Sequence, residues 1–589
     1  MTEQPTSFLA RLKKHHIYRV ATIYAIASWV LIQLSNGLLP DFGLPRSSVV
    51  IVIAVIALGF PVVLVLAWML IRPVDPEKLA RWQRRRWRIG PILSLIVISF
   101  AAFWIIIIWG KISAETAASA AKTTVSQEVA AFHPPPHSIA VLPFQNLSNN
   151  PKQQYFSDGI TQELTNALGQ IPGLQVIAWQ SVASFSNTTL SANTIGKELD
   201  VAYMLVGSVM RAGDSLRVYA ELVNTSTGYQ IWSDKYDRSI KDIFAVQDEI
   251  SKAIASSMQL ELGESTHLVS AATTSTDAHD AYLKGMEYFN LRTKANLYRA
   301  IKYFQKAVEL DKNYSEAYAQ LASAYTVLPE VTSMSYEEAN AKAMPLIRKS
   351  LEINPNQPKA HAVLANIYIT EHKTEAAKAE LLKTLALDPN DAAVHTYYAF
   401  LLPLKEALGQ YQIAATLDPE YWAVQMNLGA AYAELGHFAQ AIKAYQAAQH
   451  LSPENIEAPL EIAFLNHLQS KDKESVRILT SVTTSNRDDS EVLDASRLSY
   501  AALLDPKLRS QALNNLDKLT GSKNGGFNQY YLATAYIVLG DDAKAIQLIR
   551  NFCGNTPDSC NDIAVDPHYL SLHANKEFQR LVARYGLKH

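Results

Sequence analysis

Residues 422–455 read WAVQMNLGAAYAELGHFAQAIKAYQAAQHLSPEN. Apolar residues recur at helical spacing on either side of Gly436, so the stretch predicts two helices joined by a tight turn. Gly429, Ala441 and Ala448 are small enough to let the two helices approach closely. Tyr432 and Tyr445 are large enough to fill the space toward a neighbouring pair. Pro453 closes the unit, because proline cannot continue a helix interior. A pair of this kind cannot bury its apolar face alone, so copies of it must be stacked alongside.

The copies are present. Pro355, Pro389, Pro419 and Pro453 are spaced 34, 30 and 34 residues apart. A second clear unit begins at Leu532, LATAYIVLGDDAKAIQLIRNF, with Ala533, Tyr536, Gly540, Ala545 and Ile549 at matching positions. Further units begin near 281, 317, 358 and 391; those near 281 and 317 carry insertions and that near 391 is short. Residues 455–525 are helical but degenerate. A helix-pair period near 34 is that of the tetratricopeptide (TPR) repeat. An all-α TPR solenoid is therefore expected over 278–552, with a capping segment over 553–589. Its stretch DPHYLSLHANKEFQRLVARYGL (566–587) is expected to cover the apolar end of the last repeat.

Such solenoids present a concave surface to peptides or helices of partner proteins. In the clearest unit the candidate groove residues on the first helix are Gln425, Met426, Ala430 and Glu434. Cys553 and Cys560, the chain's two cysteines, enclose GNTPDS and are expected to form a disulfide in an oxidising compartment. Their spacing is not CxxC, and no HExxH or other zinc-ligand spacing occurs, so no metal or cofactor is implied.

The N-terminal region has a different character. Residues 18–39, 49–71 and 91–109 are three apolar runs, the second and third without a charge. Each is long enough to cross a bilayer as a helix, which takes about 20 residues. They define a membrane anchor over 1–110, in contact with the lipid bilayer. The first run carries Gln33 and Asn36, which suit hydrogen bonds between helices. The spans lack interior ionisable residues, which argues against transport. Flanking charge sets the direction. The N-terminal tail carries Arg11, Lys13, Lys14 and Arg19, and the first loop one Arg and one Asp. The second loop holds RWQRRRWR (81–88), and the region after the third span only Lys111 and Lys122. The pattern predicts a cytoplasmic N-terminus and a C-terminal portion on the far side. Arg81, Arg84, Arg85, Arg86 and Arg88 are then topology determinants rather than a nucleic-acid patch. Whole-chain charge agrees, with 53 Lys+Arg against 55 Asp+Glu. Ala118-Ser119-Ala120 has the form of a cleavage site but lies about ten residues past the third run.

Residues 111–136 are Ala/Ser/Thr-rich and run into HPPPH, a linker stiffened by prolines. His133 and His137 flank those prolines and read as part of it. Residues 137–263 then alternate between strand and helix patterns in the order β-α-β-α-β-β-β-α. That order predicts an α/β two-layer sandwich with a mixed sheet. Ser157 or Asp158 is the expected N-cap of its first helix. Asp158, Glu163 and Asp200 show no nucleophile, base or oxyanion partner, and no GxGxxG or GxxxxGK[ST] motif is present. No enzyme activity is expected.

Three blocks of this domain carry a resemblance: SIAVLPFQNLSNNPKQQYFSDGITQEL, GSVMRAGDSLRVYAELVNTSTGYQIWSDKYDR and IFAVQDEI. They resemble the TolB amino-terminal-like (FlgO-like) domain that precedes TPR repeats in many bacterial membrane-anchored proteins. IYRVATIYAIASWVLIQ and GFPVVLVLAW resemble the anchors of the same proteins. Trp179 stands where relatives commonly carry arginine. The resemblance implies an inner-membrane-anchored envelope protein whose periplasmic domains serve protein–protein interaction or scaffolding. A transmembrane sensory or regulatory role is the alternative, since some relatives attach the domain to a cyclase or a winged helix. About 17 residues precede the first span, so neither such domain is expected there.

Overall fold

The computed structural model describes residues 132–148, 150–260, 272–520, 526–555, 560 and 563–586, with positions 26, 28 and 29 near the N-terminus. Apart from those three helical positions, the expected spans, the arginine-rich loop and the linker as far as 131 lie outside the described residues. Among the described residues no helix is long and apolar enough to cross a membrane.

The α/β domain is built on β1 (Ser138–Val141), β2 (Gln145–Asn146), α1 (Gln154–Gly169), β3 (Gln175–Val176), α2 (Trp179–Ala183), α3 (Ala192–Leu199), β4 (Tyr203–Ala212), β5 (Ser215–Asn224), β6 (Gln230–Ser239) and α4 (Ile243–Ser257). The sheet order is β3-β1-β4-β5-β6, with β2 also beside β4. The β1–β3 and β1–β4 pairs are parallel, and β4–β5 and β5–β6 antiparallel, so the sheet is mixed. Gly213 and Gly228 turn the two hairpins with positive φ, a conformation glycine enters without a Cβ clash.

The layer count departs from the two-layer expectation. Ile139 and Val141 of β1 face a core shared with Ile160, Leu164 and Leu168 of α1 and Ile250 and Ile254 of α4. Ala140 and Leu142 face the other way, into a smaller cluster with Val182 of α2 and Ile195 and Leu199 of α3. Helices therefore cover both faces at the β3-β1-β4 end. The N-cap also differs. A 3-10 turn at Pro151–Gln153 precedes α1 and is capped by Asn150, which leaves Ser157 and Asp158 inside the helix.

Among the described residues the chain after α4 is helical, in eight consecutive pairs followed by the C-terminal segment. They are α5 (Thr276–Asn290) with α6 (Lys294–Leu310), α7 (Ser315–Val331) with α8 (Tyr336–Ile353), α9 (Pro358–Thr370) with α10 (Thr374–Leu387), and α11 (Ala392–Ala399) with α12 (Leu404–Leu417). Then follow α13 (Trp422–Glu434) with α14 (Phe438–Leu451), α15 (Glu457–Leu468) with α16 (Asp472–Ser481), α17 (Arg487–Leu504) with α18 (Arg509–Thr520), and α19 (Gly526–Val538) with α20 (Asp542–Asn555). The small-residue rule holds physically. A Cβ on Gly429 would sit 2.7 Å from the Tyr445 ring, and one on Gly285 2.4 Å from the Phe304 ring. The degenerate stretch 455–525 supplies two ordinary pairs.

A 3-10 segment (Pro567–Leu572) and α21 (Lys576–Tyr585) end the described chain. Phe578 and Leu581 of α21 close the apolar end of the last pair, joining Leu532, Ile546 and Ile549. Cys553 and Cys560 are joined by a disulfide in the same cluster.

Candidate functional site

Other parts of the chain pack against first helices of the array at both of its ends, α1 on α5 and the C-terminal segment on α15 and α19.

At the N-terminal end α1 of the α/β domain lies against α5. Gly159 makes the close approach possible, since a Cβ there would fall 2.7 Å from Leu283 Cδ2. Around it polar groups pair off. Glu163 Oε1 lies 2.7 Å from His279 Nε2, and Gln247 of α4 donates to Glu163 Oε2 at 2.6 Å. Asn290 donates to Gln162 Oε1 at 3.1 Å. Tyr282 donates to Glu316 Oε1 of α7 at 2.9 Å. Asp280 accepts from Arg211 at 2.8 Å, from Lys284 at 2.7 Å, and from the Tyr155 hydroxyl. The α/β domain and the first two helix pairs thus share one continuous core, from Ile139 through Leu283 to Leu328.

The same domain reaches two turns further along. Asn390, in the turn between α10 and α11, accepts from Val176 N–H at 2.9 Å and donates to Gly169 O at 2.8 Å and Leu174 O at 2.9 Å. In the turn before α13, Ala178 N–H donates to Leu417 O at 2.7 Å. Ser181 donates to Asp418 at 2.6 Å and accepts Glu420 N–H at 2.9 Å. Burial pushes the Asp418 carboxyl up to about 6, against the opposing Ser181 bond.

At the C-terminal end the segment after the disulfide folds back over α19 and α15. The His568 ring stacks on Phe464 at 4.0 Å between centroids, and Tyr530 Oη lies 2.8 Å from His568 Nδ1. Tyr531 donates to Glu461 at 2.9 Å, and Tyr530 to Asp566 at 3.0 Å. Burial opposes charge on His568, but the Glu461 and Asp566 carboxylates outweigh it and raise the imidazole pKa.

Between these ends Arg292, Glu330, Phe400 and Tyr421 are exposed and Tyr397 is half-buried. Partial burial raises the Tyr397 and Tyr421 hydroxyls; the charge of Glu330 adds to the rise and that of Arg292 opposes it, so all four belong to one electrostatic neighbourhood. Two tyrosines with one charge of each sign, and the exposed Phe400 at the end of α11, suit an amphipathic peptide or helix.

The candidate groove residues Gln425, Met426, Ala430 and Glu434 are half-buried on α13. Gln425 donates its amide to Pro419 O at 3.2 Å, and Met426 packs beside Ala433 and Tyr445. Gln425 is one instance of a recurring bond. His361 Nε2 lies 2.8 Å from Pro355 O, and His395 Nε2 3.0 Å from Pro389 O. Each ties the first turn of a helix to the turn six residues before it, so this position sets repeat geometry. The sequence signal is a polar residue six places after Pro355, Pro389 and Pro419; after Pro453 that place is taken by Pro459. Asp158, Glu163 and Asp200 are not brought together as a site. Asp158 accepts from Gln154, Glu163 pairs with His279, and Asp200 ends α3 in a left-handed conformation.

Comparison with known proteins agrees with this geometry in part. Residues 281–314, 336–399 and 422–455 match tetratricopeptide repeat models, and the chain contains TPR repeats. An array of this class is a protein-interaction scaffold. Residues 136–253 match the model of the second domain of HilA/YgeH-like transcriptional regulators; the match is to that family rather than to the TolB-like one. Putative adenylate cyclase 3 of Rhizobium meliloti (strain 1021) is 34% identical over 199 residues, which is 33% of this chain and 34% of that protein. The chain thus spans about a third of that relative's length. Among solved structures, PilF of Pseudomonas aeruginosa is similar at 25% identity and TM-score 0.30 over 37% of this chain and 95% of that one. YrrB, a TPR protein with an unusual peptide-binding site, is similar at 22% identity and TM-score 0.21 over 32% of this chain and 96% of that one.

Proposed function

We propose that this protein is a non-catalytic scaffold anchored in a bacterial inner membrane, with its α/β domain and TPR array in the periplasm. Its partner is a peptide or helix bound on the open middle of the array. The observation that carries the binding reading is that this chain covers its own array at both ends and leaves aromatic and charged residues exposed elsewhere. Both ends are occupied by this chain, and the stretch at Arg292, Phe400 and Tyr421 is exposed. Three apolar runs flanked by alternating basic and neutral segments support the anchoring, with Arg81, Arg84, Arg85, Arg86 and Arg88 held at the cytoplasmic headgroups. A disulfide buried in the C-terminal core suits an oxidising compartment. The TolB-like resemblance of the α/β domain supports the envelope setting. No nucleic acid or cofactor takes part.

The test is labelling of Cys553 and Cys560 in intact cells with a membrane-impermeant thiol reagent, with and without mild reduction. Labelling only after reduction is expected. Labelling only after lysis would put the array inside and sink the proposed topology.

A second reading, a transmembrane sensory or regulatory protein, is favoured by the stretch shared with a protein named as a putative adenylate cyclase. The two separate on alanine replacement of Arg84, Arg85 and Arg86. A scaffold loses correct insertion. A sensor inserts normally and loses a downstream response.

A further inference from the structure

β6 ends the sheet. Nine of its ten residues pair with β5 on one side, Ile231 being passed over at a bulge, and among the described residues no strand pairs with the other side. An unpaired edge of this length presents a row of backbone donors and acceptors, and proteins usually protect such edges with charge. Here the charges have an order. Residues 234–238 read Asp-Lys-Tyr-Asp-Arg.

Laid antiparallel against a second copy about Tyr236, Asp234 stands opposite Arg238 and Lys235 opposite Asp237. Every charged position then meets its opposite, twice over because the pairing is symmetric. Neighbouring centres fail. One at Lys235 sets lysine on lysine, and one at Asp237 sets aspartate on aspartate. Opposite charges facing across strands stabilise a pair, and like charges destabilise it.

The groups are available for this. The side chains of Lys235, Asp237 and Arg238 are 56%, 48% and 46% exposed. Within the chain Asp237 is held by Arg217 at 2.5 Å and Lys235 at 2.9 Å, and Arg238 lies 3.7 Å from Glu249. These contacts orient the charges without burying them. Strand alternation puts Lys235 and Asp237 on one face of the sheet and Asp234 and Arg238 on the other, so the match holds on both faces. Tyr229, just before the strand, and Ile231, near its start, are 74% and 47% exposed.

We propose that two copies of this protein associate by antiparallel pairing of β6 about Tyr236, joining their sheets into one. The occupant of the edge is a second copy of this chain, chosen by the self-complementary order of charge.

The test uses full-length protein made in isotopically light and heavy forms, mixed and treated with a zero-length carbodiimide cross-linker. The expected product is a Lys235–Asp237 link between a light and a heavy chain. Lys235→Glu is expected to weaken self-association about tenfold, because glutamate then faces aspartate at two symmetric positions. The swap Lys235→Glu with Asp237→Lys restores it, which a folding defect would not allow. Links confined to single chains, or self-association unchanged by Lys235→Glu, would overturn the proposal.

Discussion

Glu163 Oε1 and His279 Nε2 lie 2.7 Å apart, one on the first helix of the α/β domain and the other on the first helix of the array. His279 is enclosed. Burial alone would lower its pKa, but the charge and hydrogen bond of Glu163 outweigh burial and raise it. Beside it burial, with the Glu163 charge adding, pushes the Glu316 carboxyl up to about 7.

Both groups hold protons more tightly folded than unfolded, so both make the junction less stable as pH rises. The Glu316 part is lost between its ordinary value of 4.5 and about 7. The His279 part is fully present below 6.5 and is lost as pH passes its raised folded value. Denaturant unfolding of 132–589 across pH 4–9 is expected to show stability falling through this range. Glu316→Gln keeps an acceptor for Tyr282 and removes the ionisation. It is expected to gain on the order of 2 kcal/mol at pH 8 and to flatten the profile. An unchanged profile in that variant would remove Glu316 from the account.

Asn390 joins three backbone groups of the α/β domain to a turn between repeats. Asn390→Ala leaves the Val176 N–H and two carbonyls without that partner. The expected cost is about 2 kcal/mol. Amide hydrogen exchange should quicken at Val176 more than at Ile139, its partner on the inner strand β1. Equal protection in the variant would mean the clamp is dispensable.

Gly285 and Gly429 each leave room for an aromatic ring of the second helix. Alanine at either position forces Phe304 or Tyr445 out of place, an overpacking cost of about 1–3 kcal/mol. The two should differ in reach. Gly285 sits in the core shared with the α/β domain, so Gly285→Ala should loosen both, measured as exchange in α1 and β1. Gly429→Ala should act on its own pair.

Cys553 and Cys560 close a short loop between the last helix pair and the cap. Replacing both with serine should lower stability by about 2 kcal/mol on the loop-entropy model. Proteolysis should then begin within 555–575 rather than in the α/β domain.

The helix pairs were legible because their period rests on residue size. Small residues fall where two helices touch and aromatics where pairs stack, and Gly429 with Tyr445 shows both. The two hairpins of the α/β domain were equally plain, since alternation and two glycine turns mark them, but the two-residue β2 and the five-residue α2 are too short to show a period and were not expected. The docking of that domain on the array was not. His279, Asp280 and Asn290 look like the solvent face of an amphipathic helix, and only the fold brings Glu163, Arg211 and Gln162 to meet them. The cap is expected from the stretch 566–587 that follows the last repeat, and Phe578 and Leu581 do the covering. Its second task, carrying His568 onto Phe464, depends on a ring contact across about 100 residues that leaves no local periodicity. Gln425 carried a readable sign that pointed elsewhere. The same offset from proline recurs at His361 and His395, and marks a bond that fixes the turn.

The most direct test of an array covered at both ends and open in the middle is site-specific photo-crosslinking in the native host. A photoreactive residue is placed in turn at Phe400, Tyr421, Met286 and Tyr531. Discrete adducts with the same partner are expected from Phe400 and Tyr421, competed by excess partner peptide, and none from Met286 or Tyr531. Adducts from Met286 or Tyr531 with none from the middle positions would contradict it.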